Sequence, residues 1–163
     1  MIIRNRNACD VFSGFFFLPL LKKQNSMREK EFDFVIYPLK LVITIGMDYE
    51  TLCSRFVNAE PGQEGNWGEE GEFDDCGSFV NLVTDKNDGD KRKILWNFES
   101  SDYMTMKTIC HEAFHVATSV CGFAHMSLGF GVSEDEHAAY IAGFAGDCAS
   151  YMFGLVEEKE KKK

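Results

Sequence analysis

Positive charge is scarce in this chain. Its 17 Lys and Arg stand against 26 Asp and Glu, a net charge of −9. That balance excludes nucleic acid and anionic membrane as main partners, because both are bound through cationic surface. No two cysteines form a C-x-x-C pair: Cys9, Cys53, Cys76, Cys110, Cys121 and Cys148 are scattered, which speaks against a cysteine-built structural zinc site. A disulfide framework suits smaller secreted scaffolds, so reduced thiols acting as small hydrophobes are expected here. The apolar run from Val11 to Leu21 is eleven residues, too short to span a bilayer. There is no internal repeat. What remains is 163 residues, 45% hydrophobic with fifteen Phe, the composition of one globular domain with a real core.

Residues 1–26 differ from the rest. Arg4 and Arg6 precede the apolar run, and Lys22 and Lys23 follow it. The order resembles a signal peptide, but no small-x-small cleavage site follows. Met27 opens a new segment and reads as a native start, with 1–26 as an extension; a secretory or anchoring role for 1–26 is the alternative. A single domain is expected over 27–156, with a charged tail at 157–163. The expected compartment is the cytoplasm of the producing or host cell, or outside it if 1–26 are a signal, without stable membrane insertion.

Phe34 to Ile45 is rich in Val, Ile, Tyr and Phe and reads as a strand, broken or placed at an edge by Pro38. Asp48 can cap a helix from Tyr49 to about Asn58. Residues 59–77 hold five glycines and seven acidic side chains and read as a loop. Ser78 to Thr84 and Arg92 to Phe98, joined across Asp88-Gly89, read as a hairpin. A helix is expected from Asp102 or Tyr103 to Cys121, stopped by Gly122. Ser133 can cap a second helix running to about Phe153. The fold class is therefore α+β.

The first of these two helices carries Thr108-Ile109-Cys110-His111-Glu112-Ala113-Phe114-His115-Val116-Ala117, a His-Glu-x-x-His motif. Residues at i and i+4 share a helix face, so His111 and His115 can aim at one point, about 2.0–2.1 Å from a Zn²⁺. Glu112 lies about 100° further round, beside such an ion, where a general base for an activated water belongs. The flanks are uncharged, as a helix buried on most sides requires.

A catalytic zinc takes three protein ligands and keeps one position open. Six residues after His115 stands Cys121, which is expected to pack rather than ligate. The second helix offers Glu136, 21 residues past His115, with Glu134 as the other choice. Glu136 also completes an S-x-x-E capping box with Ser133, a competing use of the same carboxylate. Tyr140 and Asp147 share the Glu136 face at helical spacing. Tyr140 can donate to a developing oxyanion, and Asp147 can orient a zinc-bound His; a packed aromatic and a solvated carboxylate are the plainer readings. His125 and His137 read as loop or surface histidines.

The motif at Thr108–Ala117 with Glu136 downstream resembles the minimal gluzincins, small zinc peptidases with a short sheet, an active-site helix and a glutamate-bearing helix. Phe32-Asp33, Ile36-Tyr37-Pro38-Leu39-Lys40-Leu41, His111–Ala117 and Glu136-His137-Ala138-Ala139-Tyr140-Ile141-Ala142-Gly143 are together similar to phage-encoded zincin-like proteins. The resemblance covers about residues 30–150, departs at His137, and is specific only in the helix motif. It implies a small antiparallel or mixed sheet packed on the two helices, with Zn²⁺ held by His111, His115 and Glu136. It also implies catalysis by Glu112 and Tyr140, and a peptide or protein substrate added as a strand to a sheet edge. A zinc-binding structural or interaction module is the alternative.

Overall fold

The structure is a computed structural model that describes residues 27–71, 77–129 and 135–160, with side chains through Gly154. The proposed extension 1–26, Ser133 and Glu134 lie outside the described residues. Five strands form one mixed sheet: β1 (Arg28–Asp33), β2 (Lys40–Ile45), β3 (Phe56–Asn58), β4 (Ser78–Asp85) and β5 (Lys91–Phe98), in spatial order β1-β2-β5-β4-β3. β2 and β5 run parallel, from Leu41↔Ile94 to Ile45↔Phe98; the other neighbours are antiparallel. Three helices accompany the sheet among the described residues: α1 (Tyr49–Arg55), α2 (Met106–Phe123) and α3 (Glu136–Glu160). The α+β class is thus as expected.

Side-chain alternation sorts the sheet into two faces. Leu41, Ile43, Ile45, Leu82, Ile94, Trp96 and Phe98 pack with α2 and α3. Val42, Val83 and Leu95 turn the other way and pack with Leu52 of α1, Met47 and Phe56. β2 is a Leu-Val-Ile-Thr-Ile run buried on both faces, as a central strand with a parallel neighbour should be. Its Thr44 is fully buried and donates its hydroxyl to Asn97 Oδ1 at 2.8 Å. On α2, Ile109, Ala113, Val116, Ala117 and Val120 form one buried stripe; on α3, Ala138, Ile141, Ala145, Cys148, Ala149 and Met152 do the same. The alanines let the two helices approach closely.

Several boundaries differ from the sequence expectation, each for a local reason. The stretch from Phe34 is not strand: residues 34–39 are the turn of a β1–β2 hairpin, and the strand begins at Lys40. The hydrophobes before it serve as anchors, with Phe34 5.2 Å from the Phe144 ring and the Tyr37 hydroxyl on Met126 Sδ. α1 stops at Arg55 because Phe56 enters β3 in extended conformation. α2 begins only at Met106, where the Thr105 hydroxyl accepts from Thr108 N at 3.2 Å; Ser101–Tyr103 form a separate 3₁₀ turn. Gly122 is helical, and the stop is His125 at φ 53. Its N–H meets the Gly122 carbonyl while Met126 N reaches the Cys121 carbonyl at 2.9 Å, a Schellman pair closed by a residue other than glycine. α3 runs on to Glu160, past Phe153, since nothing after Gly154 breaks it. The β4–β5 hairpin is present, one residue longer on each arm, and Gly89 supplies the left-handed φ of 62 its turn requires.

Beneath α1 the sheet carries an ionic cluster. Lys93, 2% exposed, meets Glu31, Asp85 (2.9 Å) and Asp88 (3.1 Å). Arg55, at the end of α1, reaches Asp85 at 2.9 Å and Glu29 at 2.9 Å. Burial alone would push the Asp85 carboxyl up, but the hydrogen bonds from Arg55 and Lys93 outweigh it and hold the group below its ordinary value.

Candidate metal centre

α2 presents His111 and His115 on its exposed side. Their Nε2 atoms are 3.2 Å apart, with ring centroids at 4.9 Å and planes at 73°. Two bonds of about 2.0–2.1 Å at a tetrahedral angle set nitrogen atoms about 3.3–3.4 Å apart. The spacing therefore matches what one zinc ion would impose. Two imidazole lone pairs facing each other repel unless a proton or a cation lies between them. The pair is built for one or the other.

Glu112 turns inward instead. It is only 7% exposed. Burial pushes its carboxyl up to about 7, which lets it take and return a proton near neutral pH. The helix positions all three groups by phase alone, and the buried stripe of α2 holds that phase against the sheet.

Among the described residues, no three His, Cys, Asp or Glu side chains gather as a metal site. Glu136 is exposed at the first residue of α3, and Tyr140 is 76% exposed two turns before the helix midpoint. Asp147 is exposed on the same helix. The structure brings together His111 and His115; Glu112 is buried on the same helix, and Glu136, Tyr140 and Asp147 are exposed on α3. Cys121 is core, 1% exposed. Cys148 is buried too, whereas Cys110 is exposed beside His111; these three and Cys53 are free thiols. His125 serves as the helix stop. His137 is half-buried, with Nε2 shut off from solvent and lacking a hydrogen-bond partner.

Two contacts show what lies beside the imidazoles. Tyr103, ahead of α2, packs on Gly77, ahead of β4, so closely that a Cβ there would sit 2.6 Å from the ring. Ser119 follows His111 and His115 at the same spacing of four and shares their face. Its hydroxyl donates to Glu60 Oε1 at 3.3 Å, and the same oxygen accepts from Leu82 N at 2.7 Å. α2 and β4 thus stay side by side from Tyr103–Gly77 to Ser119–Leu82, with the histidines between. β3 covers β4 only from Val83 to Asp85. Leu82 turns its N–H and carbonyl outward, to Glu60 and to Ala59 N at 2.9 Å. Backbone direction alternates along a strand, so Val80 and Ser78 turn the same way, and among the described residues no strand pairs with them.

Sequence reasoning reached the imidazoles and Glu112 through helical phase alone. It missed Ser119, although the repeat of four from His111 was in plain view. It also missed Glu60, whose role depends on a strand and a helix far away in the chain. Two concavities, of about 340 and 320 Å³, are lined by other residues. No helix among the described residues is long and apolar enough to cross a membrane. Comparison with protein-family models, with curated proteins and with solved structures finds no match to this chain.

Proposed function

We propose that this chain is a zinc-dependent peptidase acting on an extended segment laid along the edge of β4 at Ser78 and Val80, which no strand covers among the described residues. The observation that carries the reading is the convergence of His111 and His115 at 3.2 Å on the helix that also carries the buried Glu112. His111 and His115 would hold the ion, with Glu136 or Glu134 of the following segment as the third ligand. When bound, zinc supplies Lewis acidity toward a carbonyl oxygen and a water acidified toward neutral pH. Glu112 takes the proton of the attacking water and hands it to the departing amine. Its burial suits both steps, since a desolvated carboxyl holds a proton more firmly than an exposed one and can carry it from water to amine. The β4 edge orients the substrate by main-chain hydrogen bonds at Val80 and Ser78. Tyr140 is proposed as an oxyanion donor that must swing in from an exposed position.

Glu112→Gln tests this directly: zinc should remain at one ion per chain, and hydrolysis of unstructured peptides should fall by roughly 10²–10⁴-fold. Retained activity would remove Glu112 from the mechanism. The exposure of both imidazoles favours a second reading, a surface zinc site that joins a partner without hydrolysis. In that case wild-type protein binds zinc and cleaves nothing.

A further inference from the structure

We propose that Glu60 is a stop that ends the peptide-binding edge and fixes the register in which an added segment passes His111 and His115. This rests on the edge-binding reading above, and concerns where on the edge a peptide can lie. A strand edge offers docking wherever consecutive outward N–H and carbonyl groups are free. On β4 the outward positions are Ser78, Val80 and Leu82. Leu82 is already occupied: its carbonyl accepts from Ala59 N at 2.9 Å and its N–H donates to Glu60 Oε1 at 2.7 Å. The chain thereby imitates one more residue of β3 with a side chain, and the ladder closes there.

Glu60 also receives the Ser119 hydroxyl at 3.3 Å, one helical turn past His115. The carboxylate therefore ties the strand edge at Leu82 to α2 at Ser119. It is itself held in place, since the Asn58 side-chain oxygen accepts from Glu60 N at 3.0 Å. Among the described residues no strand covers Ser78 and Val80, so an extended peptide can pair there and must leave the edge before Leu82. With two pairing residues available, a slip along the edge moves in steps of two residues, and the stop removes the step toward Leu82. The occupant is an extended polypeptide backbone. A folded surface or a small molecule would not use the alternating pattern.

Glu60 is a positioning residue on this account, tested by Glu60→Ala and Glu60→Gln in the full chain loaded with zinc. The probe is a random-sequence library of unstructured peptides. In the wild type, peptide should slow amide exchange at Ser78 and Val80, while Leu82 is protected with or without it. In Glu60→Ala the free Leu82 amide should exchange about tenfold faster, the loss of one hydrogen bond. Added peptide should then protect Leu82 as well, and cleavage positions should spread by a step of two residues. Glu60→Gln keeps an acceptor oxygen and should restore the wild-type footprint, which general loosening of the loop would not do. A footprint confined to Ser78 and Val80 in Glu60→Ala, with unchanged cleavage positions, would overturn the proposal, as would no footprint in any variant. Footprints that shift as described without any cleavage would keep Glu60 as the stop and sink the peptidase instead.

Discussion

On the proposed reading, Glu112 and the two histidines beside it would divide the work by helical angle, the exposed imidazoles binding the ion and the buried carboxyl moving protons. His115→Ala should therefore abolish stoichiometric zinc while leaving the fold, because the imidazoles face outward and contribute little to the core; metal analysis and circular dichroism measure the two effects. Gly77 is a different sort of residue. Its φ of 63 and the Tyr103 ring 2.6 Å from a would-be Cβ leave no room for a side chain. Gly77→Ala should cost about 1–3 kcal/mol, read as a lower urea midpoint with unchanged slope. It should also disturb the alignment of α2 on β4. Thr105→Ala should cost about 1 kcal/mol by uncapping α2.

The ionic cluster under α1 shows its effect across elements, tying β1, β4, β5 and α1 at one point. Asp85 is fully buried and Lys93 nearly so. Asp85→Ala takes from the buried Lys93 and from Arg55 the carboxylate they share, leaving Lys93 only Glu31 and Asp88, and should cost up to about 3–5 kcal/mol. The carboxyls of Asp85 and Glu31 sit below their ordinary values of 3.8 and 4.5. The unfolded chain thus holds more protons than the folded one as pH drops below those values. Stability from the cluster is fully present above about pH 4.5 and is lost as pH falls through the depressed folded values. A urea-midpoint series against pH should show that acid limb in the wild type and a flatter one in Asp85→Ala; parallel curves would dissociate the cluster from acid sensitivity.

Elements were legible in the sequence where the signal was local. The hairpin from Ser78 to Phe98 followed from its Asp-Gly turn, and the motif helix from its spacing. Phe34 to Tyr37 misled because anchoring hydrophobes in a turn look like a strand until Phe144 and Met126 stand opposite them. The helix stop misled because His125, not Gly122, takes the left-handed conformation. At the site, phase gave His111, His115 and Glu112. The β4 edge and Glu60 were beyond reach, since both exist only once β3, β4 and α2 have come together.

For the molecule as a whole, the two hydrophobic clusters pack on the sheet's two faces with side chains from the sheet and the helices. Chelation should accordingly abolish hydrolysis while Tm drops by only a few degrees, the linkage contribution of a bound ligand. Collapse of the far-ultraviolet signal on chelation would instead mark a structural metal. The parallel pairing of β2 with β5 has one more consequence. Thr44 and Asn97, bonded across that pair, are 53 positions apart, so during synthesis on the ribosome the β1–β2 hairpin emerges long before its inner neighbour exists. Until β5 is translated, a Val- and Ile-rich strand waits with one side unpaired, and that interval is when a nascent chain is most exposed to aggregation and most in need of a chaperone.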